Sequence, residues 1–215
     1  MKHALLLALL FFAKPCLSQD TERFKKEVKD IQKKYDTLGD ASKETVVFTG
    51  SSSIRMWRDV RERFPEYQVI NSGFGGSQAS DLLYYIYDLI LRYEPQTVFL
   101  YEGDNDVSAR KDAKEIISDF NQIIGGILRN DPTTKIMIIS PKPSIARWEL
   151  RGKYKRLNRK LKRLANDNAQ VQFIDVWHPM LDGRKVMQDI FIEDGLHMNS
   201  KGYDIWFDSI KDYLN

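Results

Sequence analysis

The chain has 215 residues, 42% hydrophobic and 29% charged, a composition that suits one globular domain with a real core and excludes a disordered chain. Its formal net charge is +3. Two of those charges, Lys2 and Lys14, fall in an N-terminal stretch that reads as removable; without them the charge is +1, so the basic balance is no argument for a nucleic-acid partner.

That stretch opens on Met1-Lys2-His3, continues as an unbroken apolar run from Ala4 to Ala13, and is broken by Lys14-Pro15. Cys16 and Ser18 place small residues at −3 and −1 for cleavage before Gln19. This is the pattern of a signal peptide over residues 1–18, too short to span a bilayer, and it places the protein in the secreted or periplasmic space. The single cysteine, Cys16, leaves with it, so the mature chain has no disulfide, no thiol nucleophile and no cysteine metal site.

Along the chain, Asp20 to Tyr35 is charged and amphipathic, with Phe24, Val28, Ile31 and Tyr35 at helical spacing. Residues 19–44 therefore read as an N-terminal helix and linker packed on the domain that follows. Thr45–Thr49 reads as a buried strand, Ile54–Phe64 as a helix, Tyr67–Ile70 as a strand and Ala79–Tyr93 as a helix. Thr97–Tyr101 is a third strand, Ala113–Leu128 a helix, Lys135–Ile139 a fourth strand and Arg147–Ala165 a strongly basic helix. Val171–Ile174 is a fifth strand and Lys201–Tyr213 the last helix. Short apolar strands alternating with helices imply parallel pairing through right-handed crossovers, in a sheet covered on both faces. The predicted class is α/β, with one doubly wound domain over residues 45–215.

Ligands of such sheets sit beyond the carboxyl ends of the strands. Small and polar side chains gather there: Gly50-Ser51-Ser52-Ser53 after the first strand, Asn71 to Ser77 after the second, Glu102 to Asp106 after the third. Asp175 follows the fifth, and Glu193 to His197 lies further on. Acyl transfer by a serine needs a hydroxyl, a base beside it, a group to orient the base and donors aimed at the oxyanion. Ser52 would stand at a helix N-terminus, where free backbone N–H groups favour developing negative charge; the plainer role for Ser51 to Ser53 is to cap that helix. Two histidines remain as bases, each with Asp three residues earlier: Asp175/His178 and Asp194/His197. Spacing alone does not choose between them. The Asp194-Gly195 turn and the helix start at Asn199-Ser200 favour His197, whereas His178 precedes Pro179 in an apolar setting and reads as a packed or surface residue. Gly76 offers a backbone N–H and Asn105 a side-chain amide as oxyanion donors, although both also suit ordinary turns.

Other chemistries fit less well. The glycine spacing matches neither the dinucleotide fingerprint nor the NTPase loop, and there is no G-x-S-x-G elbow and no H-E-x-x-H. Glu102, Asp104 and Asp106 read as a solvated turn rather than a cation site. The cations Lys153, Lys155, Arg156, Arg159, Lys160, Lys162 and Arg163 read as a solvated helix face.

Together, four segments resemble the SGNH/GDSL hydrolase family in its order. Gly50-Ser51-Ser52 resembles its first block, Asn71 to Gly76 its second, Gly103-Asp104-Asn105-Asp106 its third and Asp194 to His197 its last. Ser51 stands where that family usually has Asp, which leaves Ser51, Ser52 and Ser53 as neighbouring candidates for the reactive hydroxyl. The resemblance implies a three-layer α/β/α sandwich with a five-stranded parallel, flavodoxin-like sheet. It implies Ser52 as nucleophile, His197 as base, Asp194 as its orienter, and Ser52, Gly76 and Asn105 as the oxyanion hole. It demotes Asp175/His178. It implies no metal and no cofactor, and a small-molecule or glycan ester as the binding partner. The expected activity is removal of short acyl groups, acetyl above all, from a carbohydrate or similar polar alcohol. A lysophospholipase or lipid acetylhydrolase is the first alternative, and a non-catalytic sugar- or partner-binding module the second. The loop Pro141–Trp148 is a candidate for contact with the leaving group, with Trp148 as a core residue the plainer alternative.

Overall fold

The computed structural model describes residues 21–37, 39–40 and 42–214. The signal-peptide stretch 1–18 and the expected helix start at Asp20 lie outside the described residues.

A turn of 3-10 helix, Thr21–Phe24, leads into α1, Lys25–Tyr35. Phe24, Val28, Ile31 and Tyr35, spaced for one helical face, are all buried against the sheet layer. At about 1.5–3 kcal/mol for each apolar side chain fully removed from water, this face is enough to hold α1 on the domain. Then follow β1 (Thr45–Gly50), α2 (Ser52–Arg55), α3 (Val60–Arg63) and β2 (Gln68–Asn71). Next come α4 (Ala79–Tyr84), α5 (Ile86–Leu89), β3 (Thr97–Tyr101), α6 (Asp104–Ser108) and α7 (Ala113–Asn130). The chain continues through β4 (Lys135–Ile139), α8 (Arg151–Asn166) and β5 (Val171–Ile174). It ends in a two-stranded antiparallel ribbon, β6 (Leu181–Asp182) and β7 (Lys185–Val186), and α9 (Ser200–Ile210).

The five long strands form one all-parallel sheet in the order β2-β1-β3-β4-β5. This is the flavodoxin-like order, whose ligand crevice opens where the chain reverses direction across the sheet, between β1 and β3. Alternate residues of the strands feed two cores. Val47, Ile70, Val98, Leu100, Ile136 and Ile138 meet α1, α4, α5, α7 and α8. Val46, Phe48, Phe99, Tyr101, Met137 and Ile139 meet α2, α3 and α9. On that second face Phe48 stacks on Phe99 with centroids 4.4 Å apart, and Trp57, Tyr203 and Trp206 pack as an aromatic cluster. The three-layer α/β/α sandwich expected from the sequence is thus the observed fold. No helix among the described residues is long and apolar enough to cross a membrane.

Three helical segments differ from expectation. The segment expected as one helix over Ile54–Phe64 is split into α2 and α3. The Asn71 amide donates to Ile54 O (2.8 Å) and Trp57 O (3.1 Å), carbonyls that a continuous helix would spend on its own next turn. The expected helix Ala79–Tyr93 breaks into α4, α5 and a 3-10 turn, and ends at Glu94, where the following Pro95 excludes further helix. Residues 104–108, read as a turn, form α6.

Candidate active site

The site is built at the crevice from four loops. Gly50 ends β1 at φ +131°, and a Cβ there would lie 1.8 Å from Tyr101 O, so only glycine allows this approach of β1 to β3. The chain then turns into α2 with Ser51 N–H donating to Tyr101 O at 3.1 Å. Ser51 and Ser53 are buried, 1% and 2% exposed, whereas Ser52 is half-buried and faces the crevice. The structure thereby separates the three neighbouring serines that the sequence left as candidates.

Ser52 Oγ lies 2.8 Å from His197 Nε2, across 145 residues of sequence. His197 Nδ1 lies 2.5 Å from Asp194 Oδ2. The Asp194 turn is closed by its own carboxylate: Oδ1 accepts from Leu196 N–H at 2.8 Å and from His197 N–H at 2.9 Å. Burial opposes ionisation of Asp194, but the hydrogen bonds from the His197 side chain and the two backbone amides outweigh it and hold its pKa at about 2. An ionised Asp194 takes the proton-bearing Nδ1, which leaves Nε2 as acceptor for the Ser52 hydroxyl. A hydroxyl so placed can pass its proton to the imidazole while attacking an acyl carbon.

The other pair is its geometric twin without a hydroxyl. His178 Nδ1 is 2.5 Å from Asp175 Oδ2, and Asp175 Oδ1 accepts from Trp177 and His178 N–H. The His178 side chain, however, is 75% exposed against 20% for His197, and its Nε2 has no hydrogen-bond partner among the described residues. It lines an open groove with Lys155, Arg159 and Trp177, away from the serine.

Three N–H groups on the loops that follow β1, β2 and β3 have no partner among the described residues. Ser52 N–H is the orphan donor of the first helical residue. Gly76 N–H is another; Gly76 is exposed, adopts φ +76°, and a Cβ there would meet open space. The third is one hydrogen of the Asn105 amide, whose other hydrogen donates to Ser77 O at 2.8 Å. Unpartnered donors of this kind can hold the negative oxygen of a tetrahedral adduct where they face the reacting carbon.

Several residues that shape the site carried no signal in the sequence. Glu27, on α1, accepts from Gly75 N–H with both carboxylate oxygens at 3.2 Å and pairs with Arg55. Arg23 donates to Gly76 O at 3.3 Å. The N-terminal helix thus grips the loop that presents Gly76. The acids after β3 are not a solvated turn: Glu102, Asp104 and Asp106 are all buried. Ser77 Oγ donates to Glu102, Ala79 N–H and Lys111 meet Asp106, and Arg147 and Tyr154 meet Asp104. Each acid is buried because it anchors a neighbouring loop. The cations of α8 are exposed except for half-buried Lys160, and Lys153, Lys155, Arg156, Arg159, Lys160, Lys162 and Arg163 make no ion pair among the described residues, as a solvated face requires. In the loop 141–148, Ile145 and Ala146 pack on Gly195, while Trp148 is half-buried and stacks on Trp177.

The sheet order and the four loops at its crevice define an α/β/α sandwich of the SGNH hydrolase type. The chain belongs to the GDSL-like lipase/acylhydrolase family, whose family model matches residues 20–205. Membership makes it an ester hydrolase at the level of the family. Among solved structures, it resembles a protein from Streptococcus pneumonia provisionally designated a platelet activating factor, with 26% identity, 90% of this chain and 95% of that chain covered, and a TM-score of 0.77. It also resembles a provisionally assigned acylhydrolase from Bacteroides fragilis, with 21% identity over 91% and 96% of the two chains and a TM-score of 0.74. An acetyl xylan esterase, AlAXEase, shares 22% identity over 80% of this chain and 100% of its own, with a TM-score of 0.70. The last two likenesses speak to the fold. No curated protein matches the sequence significantly.

Proposed function

We propose that this protein is an exported serine esterase that removes short acyl groups, acetyl above all, from a carbohydrate or similarly polar alcohol. The observation that carries the proposal is the chain of contacts Ser52–His197–Asp194, at 2.8 and 2.5 Å. Ser52 Oγ attacks the ester carbon as its proton passes to His197 Nε2. The tetrahedral oxygen, now negative, is held by Ser52 N–H, Gly76 N–H and the free Asn105 N–H. His197 then gives its proton to the departing alkoxide, and the alcohol leaves with the acyl group on Ser52. Water repeats the sequence: His197 takes its proton, hydroxide adds to the acyl carbon, and the carboxylic acid is released with the proton returned to Ser52. Asp194 stays ionised throughout and stabilises the imidazolium. Loss of one oxyanion donor is expected to lower kcat about 10²- to 10³-fold.

The exposed Gly76 at the site supports a polar alcohol as leaving group, and the acetyl xylan esterase likeness is consistent with it. The apolar run Ala4–Ala13 supports export. One observation favours a lipid ester instead: Ile145 and Ile192 are exposed beside the 194–197 turn and give the site an apolar lip, and the Streptococcus pneumonia structure is the likeness on that side. A series of p-nitrophenyl esters from acetate to octanoate separates the two. Rates falling beyond butyrate, with acetylated oligosaccharides turned over and lysophosphatidylcholine untouched, are expected. Rates rising with chain length, or turnover of the lysolipid alone, would establish the lipid reading. Ser52→Ala is expected to abolish activity on every ester.

A further inference from the structure

The loop from Ser140 to Arg147, between β4 and α8, touches both halves of the site. Toward the base, Ala146 N–H donates to Gly195 O at 3.0 Å and Lys142 Nζ to Leu196 O at 2.6 Å, so the turn carrying Asp194 and His197 leans on this loop. Toward the oxyanion side, the Arg147 guanidinium forks. One nitrogen donates to Asp104 Oδ1 at 2.6 Å and the other to Asn105 Oδ1 at 3.1 Å. The anchor of that fork is fixed, because buried Asp104 also accepts from Tyr154 OH at 2.5 Å and Tyr101 OH at 3.1 Å. Burial works against its charge, but Lys142 and Arg147 outweigh it and keep Asp104 ionised.

We infer that Arg147 is a positioning residue for the oxyanion hole, acting through the Asn105 amide rather than on the substrate. The inference rests on the reading of Asn105 as an oxyanion donor. An amide side chain has one carbonyl oxygen and two N–H groups. At Asn105 the oxygen is taken by Arg147 and one N–H by Ser77 O, so one N–H alone is left for a ligand. A flipped amide would turn its NH₂ toward the guanidinium and its oxygen toward the Ser77 carbonyl, and both contacts repel. Arg147 therefore decides which atom of Asn105 faces the crevice. A cation on the amide oxygen also draws electron density from the nitrogen, which makes the remaining N–H a stronger donor to a negative oxygen. No proton moves in this role.

Kinetics on p-nitrophenyl acetate test it. Arg147→Ala would leave buried Asp104 short of a cation and risks unfolding, so the informative variant is Arg147→Lys, which keeps a positive charge beside Asp104 but cannot form the fork. The expected result is a folded protein by thermal melting, with kcat down about 10- to 100-fold and KM within about threefold of the parent. Asn105→Ala is expected to lose about 10²- to 10³-fold in kcat. The Arg147→Lys/Asn105→Ala double variant is expected to be no slower than Asn105→Ala alone, because both act through one amide. A kcat for Arg147→Lys within twofold of the parent, or losses that multiply in the double variant, would overturn the inference while leaving Asn105 as a donor. Full activity in Asn105→Ala would remove the oxyanion reading and the role of Arg147 with it.

Discussion

Glu102 ends the run of β3 in the core, where it has no access to water and one of its carboxylate oxygens, Oε2, has no partner among the described residues. Burial, aggravated by nearby Asp106, pushes its carboxyl well above the usual glutamate range, and its Oε1 accepts the Ser77 hydroxyl. In the unfolded chain the same group ionises near its ordinary pKa of about 4.3. Above that pH the folded state binds one proton more than the unfolded state, so this group makes stability fall as pH rises, until the raised folded value is reached. Glu102→Gln keeps the acceptor for Ser77 and removes the titration. The gain in unfolding free energy of the variant over the parent is expected to grow as pH rises above about 5 in urea denaturation. A difference that stays independent of pH above about 5 would contradict the raised carboxyl. Residue-level reading of the sequence failed here because three acids on a loop look solvated; what buries them is Ala79 N–H, Ser77, Lys111 and Arg147, which come from other loops. Likewise, the Arg147–Asn105 bond spans 42 residues and the Glu27–Gly75 bond 48, and no local spacing announces either. By contrast, Ser52, Gly76 and Asn105 stand out in the sequence because each sits in a short segment of distinctive type after a strand, and Asp194 and His197 because they flank a glycine turn just before the last helix.

At the scale of elements, the strands were read almost to the residue, since Val/Ile/Phe runs bounded by turn residues leave little choice once both faces are buried. The helices were read less well where a side chain from another element intervenes. Asn71, on β2, takes the carbonyls that would have joined α2 to α3, and this keeps α2 to a single turn with Ser52 at its start. The same turn depends on Gly50. Any side chain there meets the Tyr101 carbonyl at 1.8 Å and must also adopt a left-handed backbone. Since Gly50 and Tyr101 are paired ends of the two central strands, neither can give way without opening the sheet. Gly50→Ala is expected to cost about 3–5 kcal/mol, combining overpacking with backbone strain, in chemical denaturation. A loss under 1 kcal/mol would show that the rim is more compliant than its close packing implies.

The whole molecule brings residues 23–27, 50–53, 71–77, 101–106, 140–147 and 194–197 to one lip of the sheet. The doubly wound topology explains most of this, because every β-to-α loop emerges on that side. It does not explain α1 and the 3-10 turn before it, which precede the sheet and yet hold Gly75, through Glu27, and Gly76, through Arg23, from outside. The family match begins at residue 20 and so takes in α1. The most direct measurement is covalent. A fluorophosphonate offers phosphorus in place of the acyl carbon and expels fluoride, so it marks the hydroxyl that the site activates. After labelling of the folded protein and proteolysis, mass spectrometry is expected to find one adduct, on Ser52, absent from Ser52→Ala and His197→Ala but intact in His178→Ala. An adduct on Ser51 or Ser53, labelling that persists in Ser52→Ala, or a folded parent that takes no label would contradict the assignment of the Ser52–His197–Asp194 site.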